Sequence, residues 1–329
     1  MASTLSLPLR NRGQAIFHRL RNLCCSNKRC LSTQEPQGSK IDFGFEKVEY
    51  GEKRERVREV FTNVASKYDL MNDAMSAGIH RLWKDDFVEN IGLSALAAAG
   101  GDSPKVLDVA GGTGDIAFRI LEQLQECWPD AAGAVPPGHP AGGRLAASAD
   151  ADADASAAAA AAAVTVFDIN ADMMEVGRAR AGARFPPAAA ARLAWVQGDA
   201  ERLPFAEGTF DLYTAAFGLR NVTDKARALA EARRVLRPGG RFMCLEFSQV
   251  EAPVARQLYD LYSFRVIPPM GAALAGDAAS YQYLVESIRV FPDKERLKGM
   301  MQEAGFQYAG YQSYTLGAVA LHSGMKPLH

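Results

Sequence analysis

The sequence predicts an α/β fold: a Rossmann-like, doubly wound sheet closed at one edge by an antiparallel C-terminal hairpin. Three observations predict it. Short apolar runs that read as buried strands alternate with segments of helical period; a glycine-rich turn follows the first of those runs; and two strand-like runs near the end of the chain have no helix between them.

The first strand is Lys105–Ala110 (KVLDVA), followed by the glycine turn and a helix that carries Ile116, Ile120 and Leu124 on one face. Val164–Ile169, Leu193–Gln197, Phe210–Phe217 and Arg241–Ser248 read as strands two to five, each short and apolar. Ahead of the fifth, Thr223 is placed to cap a helix in which Leu229, Ala232, Arg233 and Leu236 recur at helical spacing, and Pro238-Gly239-Gly240 stops it. Phe306–Ser313 and Leu316–His322 then pair as the closing hairpin.

Two segments are set apart from this domain. Residues 1–34 hold six basic residues (Arg10, Arg12, Arg19, Arg21, Lys28, Arg29), with no acid before Glu35, which is the composition of an organelle transit peptide; the arginines favour the mitochondrion, with processing near Leu31. Residues 130–163 are alanine, glycine and proline with a few aspartates. Ordering them returns little burial for the backbone entropy spent, so they read as a surface insertion in a domain spanning 35–329.

Composition excludes several classes. A formal net charge of -1 over 329 residues gives no whole-chain reason to expect a nucleic-acid partner, which needs a concentrated cationic face. Cys24, Cys25, Cys30, Cys127 and Cys244 show neither metal-ligand spacing nor a disulfide framework, so no metal is expected. No run of ~18 or more apolar residues is free of polar breaks, so membrane contact is peripheral.

The chemistry gathers at the strand ends. Asp108-Val-Ala-Gly-Gly-Thr-Gly114 lets the backbone approach a nucleotide-like ligand closely, and Asp115 just behind it disfavours a pyrophosphate at that helix start. Asp168, at the end of strand two, can accept hydrogen bonds from both ribose hydroxyls. It stands 54 residues after Gly114, against ~20 in a simple dinucleotide fold, and the insert accounts for the excess. Asp199, after strand three, can take an adenine amino group while Leu203 and Phe205 pack nearby.

Asp108–Asp115 (DVAGGTGD), Asp199–Phe205, Phe217–Asp224 (FGLRNVTD) and Arg234–Gly240 (RVLRPGG) resemble the class I S-adenosylmethionine-dependent methyltransferase fold, in its ubiquinone/menaquinone biosynthesis C-methyltransferase family. Ser66–Trp83, Tyr259–Pro268 and Ser280–Phe291 are similar to the mitochondrial branch, and the resemblance runs from about Val57 to Lys326 outside the insert. It implies a seven-stranded sheet, S-adenosyl-L-methionine as methyl donor, and C-methylation of a polyprenyl benzoquinol substrate in ubiquinone synthesis. It also implies membership of a multi-subunit biosynthetic complex and peripheral contact at the matrix side of the mitochondrial inner membrane, with a homodimer left open. Carried over by position, the cofactor residues are Gly112, Thr113, Gly114, Asp168, Asp199 and Ala200. Arg220 and Asn221 are the catalytic candidates, Arg220 as an electrostatic clamp on the phenolate, with a structural salt bridge as its plainer reading. Tyr68 and His80 belong to a segment that could cover the substrate, and the apolar stretch from Tyr259 to Gly276 either packs or admits the tail. Ala110 replaces the usual first glycine, and Ala216 stands where bacterial relatives often carry a serine. The competing readings are a menaquinone- or phylloquinone-type methyltransferase, a dinucleotide-dependent oxidoreductase and a non-catalytic subunit that keeps the fold.

Overall fold

The computed structural model describes residues 40–64, 68–129, 154, 157–159 and 161–329. The presequence expected at 1–34 and most of the alanine-rich insert lie outside the described residues. A hairpin of β1 (Lys40–Phe43) and β2 (Glu46–Glu49) leads into helices α1 (Tyr50–Val64), α2 (Tyr68–Ser76), α3 (Ile79–Glu89) and α4 (Leu93–Ala98). The main sheet then forms from β3 (Val106–Val109), β4 (Val164–Asp168), β5 (Leu193–Gln197), β6 (Phe210–Ala216), β7 (Leu236–Phe247), β8 (Gln307–Tyr314) and β9 (Val319–Met325). Its order is β5-β4-β3-β6-β7-β9-β8, the first five strands parallel and β9 antiparallel between β7 and β8. This is the expected seven-stranded methyltransferase sheet. Strand order reverses at β3, so a crevice opens at the carboxyl ends of β3 and β6, where open α/β sheets bind ligands.

Helices α5 (Asp115–Cys127), α6 (Ala171–Arg184), α7 (Pro187–Ala190) and α8 (Lys225–Val235) connect the parallel strands. Strand alternation divides the core between the two faces: Val106, Val164 and Val166 meet Ile116, Phe118 and Leu121 of α5, while Leu107, Phe167 and Tyr213 meet Leu229 and Ala232 of α8. Each such large apolar side chain contributes about 1.5–3 kcal/mol on burial. After β7 come α9 (Pro253–Arg265), α10 (Ile267–Ala275), α11 (Ala278–Val290) and α12 (Lys294–Glu303). A smaller cluster of Val64, Ile267, Tyr281 and Val285 packs α1 against α10 and α11.

Three expectations are corrected. The cap of α8 is Asp224, not Thr223: its carboxylate accepts the Arg227 N–H at 2.9 Å, and a charge at the positive end of the helix dipole outranks a hydroxyl. That helix ends at Val235, and Pro238-Gly239-Gly240 is absorbed as an irregularity within β7, which pairs with β6 on both sides of it. The alanine-rich insert does not lie wholly outside the fold, because Ala158, Ala159 and Ala162 are buried and Ala159 packs with Leu107 and Phe167. A methyl is small enough to let returning backbone lie against the sheet.

Gly177 shows how tightly the crevice is built from below. A β-carbon on this α6 residue would stand 2.5 Å from the Trp195 ring and 3.0 Å from the Thr113 backbone. Gly177→Ala should therefore lower unfolding free energy by about 1–3 kcal/mol, measured by urea denaturation; an unchanged midpoint would show that the Trp195 ring gives way freely.

Candidate active site

The turn after β3 is held open by its backbone. Ala110, Gly112 and Gly114 all have positive φ (54°, 50° and 83°), and Ala110 adopts with a side chain a conformation that favours glycine. It does so opposite Gly218, where a β-carbon would come within 2.2 Å of the Ala110 methyl. The missing glycine at 110 is thus matched by one across the crevice. Beneath the turn Asp108 is buried; its Oδ1 accepts from Thr214 Oγ1 at 2.8 Å, and its Oδ2 has no hydrogen-bond partner among the described residues. Burial pushes the Asp108 carboxyl up to about 7.

Asp168 closes the far side. Its Oδ2 accepts the Gly112 N–H at 2.9 Å and its Oδ1 the Asn170 N–H at 2.8 Å, tying the end of β4 to the glycine turn. Burial raises this carboxyl to about 6, with those backbone donors opposing the shift. Asp199, after β5, accepts the Glu201 N–H at 2.9 Å and an ion pair from Arg54 at 3.3 Å. With Thr113, Ala200, Asp115 and Asn221, these residues line an open cleft of about 1140 Å³. Lys84 from α3 reaches Asp115 at 2.8 Å, so that carboxylate is neutralised rather than offered to a ligand.

A second cavity, of about 1710 Å³, adjoins the first and is lined mostly by apolar side chains from α1, α3, α9 and α11. Phe61, Lys84 and Phe217 line both, so the two spaces meet there. Phe217 too has positive φ, 57°, and its ring packs against Phe247 and Trp83.

Arg220 lines the second cavity in a short helical turn, Leu219–Asn221. It is buried: Nη1 pairs with Glu246 at 3.1 Å and donates to the Phe217 carbonyl, while the guanidinium stands 5.4 Å from the Phe247 ring centre. Its Nε–H has no partner among the described residues. The structural salt bridge and the place in the cavity wall therefore hold together for this side chain. Asn221 lines the cofactor cleft instead, where its Oδ1 accepts from Tyr283 Oη at 3.1 Å. His80 lies in the apolar cavity with Nδ1 2.8 Å from Ser76 Oγ; burial, reinforced by Lys84, lowers its pKa to about 4. It is neutral at physiological pH and a poor proton acceptor. Tyr68 begins α2, and its side chain lies outside the described residues.

Helix α1 is the part of the site that the sequence reading missed. Arg54, Val57, Arg58 and Phe61 roof the cofactor cleft, and Tyr50 donates to Glu201. The available signal was Val57, Phe61 and Val64, one apolar stripe at helical spacing on an otherwise charged segment. Ala216 does line the cleft, without a hydroxyl to offer.

Asp168 supplies a pH test. In the ligand-free protein it is ionised above about pH 6; ribose hydroxyls need the carboxylate, so nucleoside affinity should be full above that pH and fall as pH drops through it. Asp168→Ala should weaken S-adenosylmethionine binding by about a hundredfold, two charge-assisted hydrogen bonds at roughly 1.5 kcal/mol each. Calorimetry between pH 5 and pH 8 reads both; flat affinity in that range would remove Asp168 from the contact.

The profile of the ubiE/COQ5 methyltransferase family matches residues 49–326. The chain is 49% identical over 304 residues to the human protein named mitochondrial 2-methoxy-6-polyprenyl-1,4-benzoquinol methylase, covering 90% of this chain and 87% of that one. It is 50% identical over 284 residues to the ubiquinone/menaquinone biosynthesis C-methyltransferase UbiE of Roseobacter denitrificans, covering 86% and 96%. A Dictyostelium discoideum protein with the same name as the human one is 42% identical, covering 92% and 94%. The profile match and these identities show that the chain belongs to the ubiE/COQ5 methyltransferase family.

Proposed function

We propose that this enzyme methylates a ring carbon of 2-methoxy-6-polyprenyl-1,4-benzoquinol with S-adenosylmethionine, in mitochondrial ubiquinone synthesis. One observation carries the reading: a cleft rich in carboxylates and backbone donors shares the wall of Phe61, Lys84 and Phe217 with a large apolar cavity. A charged nucleoside and an apolar quinol need those two environments side by side. The mitochondrial names of the human and Dictyostelium relatives support the compartment.

The cleft fits the cofactor. Asp168 is placed for the ribose and Asp199 with Ala200 for the adenine; the partnerless Asp108 Oδ2 beneath the turn suits a cationic donor such as an α-ammonium. When bound, S-adenosylmethionine supplies an electrophilic methyl on a sulfonium. The chain's own residues align the acceptor carbon and exclude water, and alignment alone is worth several kcal/mol of the barrier. Arg220 stabilises the phenolate that makes the ring carbon nucleophilic. Its partnerless Nε–H leaves a deficit of about 1–3 kcal/mol that a substrate oxygen relieves.

Removing Arg220 alone strands the buried Glu246 and should destabilise the fold by about 3–5 kcal/mol. The informative variant is the pair Arg220→Met with Glu246→Gln. It should fold and keep cofactor affinity while methyl transfer to the benzoquinol, read by mass spectrometry of the extracted quinol, falls about 10²–10³-fold. Full turnover in the double variant would take Arg220 out of the chemistry, and no turnover by the unmodified chain would reject the substrate.

The rim of the apolar cavity favours a membrane-side entrance for the tail. Ile79, Leu258 and Leu316 line the cavity and are 41%, 65% and 73% exposed, and Val254 and Leu261 continue the same face of α9. Of the stretch from Tyr259 to Gly276, Val266 is exposed whereas Ile267 is buried in the α1–α10–α11 cluster, so the entrance sits mainly on α9. Leu258→Ser with Leu261→Ser should release the protein from phosphatidylcholine vesicles and raise KM for a long-tail quinol without changing that for a short-tail one. Equal effects on both substrates would place the tail elsewhere.

A further inference from the structure

Behind Arg220 lies a third cavity, of about 590 Å³, between the N-terminal hairpin, α1, the start of α8 and α11. Five of its described lining residues are cationic, Lys40, Lys47, Lys53, Arg220 and Lys225, and among the described residues Asp42 is its only acid. Two of the charges are spoken for, since Lys47 pairs with Asp42 at 2.6 Å and Arg220 with Glu246 at 3.1 Å. Lys53 is different. It is 4% exposed, and among the described residues it has neither a hydrogen bond nor an ion pair. Glu201, the other acid close enough to influence it, is engaged by Tyr50 and the Asp224 N–H.

Lys225 commits one proton, to the Val222 carbonyl at 3.0 Å, and faces the same space. The two ammonium groups repel each other, and burial with that repulsion pushes Lys53 down to about 8. An ammonium on a mostly buried side chain, with its nearby acids engaged elsewhere, is costly, and an anion bound between Lys53 and Lys225 offsets that cost. The Thr223 hydroxyl lines the wall, and the exposed Lys40 and Lys47 stand at the rim.

We propose that this chamber binds a phosphate-class oxyanion between the Lys53 and Lys225 ammonium groups. A tetrahedral oxyanion accepts from several donors at once, as these two side chains and a hydroxyl require. The chamber shares Arg220 with the quinol cavity, Thr223 with the cofactor cleft and Tyr283 with the quinol cavity, so its occupant borders the chemistry without entering it. Free phosphate or phosphomonoester and an anionic lipid headgroup present the same chemistry.

The test is calorimetry and thermal unfolding of the full chain with inorganic phosphate against chloride at matched ionic strength. Flotation with phosphatidylcholine vesicles, with and without phosphatidic acid, runs in parallel. Saturable phosphate binding that weakens about tenfold or more in Lys53→Met establishes the site for free phosphate. Phosphatidic acid-dependent flotation lost in the same variant, without a phosphate response, establishes it for a headgroup. Lys225→Met, at a partly exposed position, should act in the same direction and serves if Lys53→Met does not fold. No response to either probe, or responses that survive both substitutions, overturns the proposal.

Discussion

The hydrogen bond from the Gly112 N–H to the Asp168 carboxylate is the constraint on which the cofactor cleft depends. It joins the turn after β3 to the end of β4, so the backbone that would receive one part of a nucleoside and the carboxylate that would receive another move as one body. The turn can accept it only because Ala110, Gly112 and Gly114 take positive φ, and Ala110 can do so only because Gly218 leaves room for its methyl. Below, Gly177 admits Trp195 against the same turn. Geometry at the cleft is thus set by residues on five different elements: the turn after β3, β4, β5, α6 and the segment at Gly218.

The roof is fastened by polar contacts as well as by the packing of Val64 against α10 and α11. Arg54 reaches Asp199 and Tyr50 reaches Glu201, so the two acids after β5 hold α1 in place before any ligand does. The Arg54–Asp199 pair is partly exposed, and such pairs contribute only about 0.2–1 kcal/mol. A ligand group competing for Asp199 would displace little, so the ion pair can hold the roof without closing the cleft. Phe61, on the same helix, reaches the junction with the quinol cavity, so one helix touches both spaces.

Much of this was legible in the sequence. Leu193–Gln197 matches β5 to the residue and β3, β4 and β6 match within one residue at each end, because each is a short apolar run with a sharp boundary, whereas β7 starts five residues before the expected Arg241. The closing hairpin was legible as two runs without an intervening helix; that β9 enters the sheet ahead of β8 is a matter of long-range pairing that no local pattern encodes. Asp168 was found by discounting the insert, although alanines 158, 159 and 162 turned out to be packed, a role that the composition of a run of methyl groups does not reveal. Helix α1 and the β1–β2 hairpin are not legible because Lys, Arg and Glu dominate them, and the contacts that place α1 over the cleft are made with partners distant in sequence, such as Asp199, 145 residues from Arg54.

The second cavity constrains how a proton can leave the quinol. None of its described lining residues is a carboxylate, and the one histidine among them, His80, is lowered to about 4. A phenol near ~10 cannot give its proton to such a group without a large uphill step. A fixed positive charge within reach acts instead on the acid itself: an opposite charge at close range lowers a pKa by roughly 1–3 units, bringing the quinol to about 7–9 and making its anion a sizeable fraction at neutral to mildly alkaline pH. Arg220 lines this cavity, as Lys84 does, and Glu246 holds one edge of its guanidinium while Nε–H has no partner among the described residues. The ion pair is therefore compatible with a catalytic part for the arginine, since an arginine free to turn would lose to water the orientation that an apolar cavity preserves.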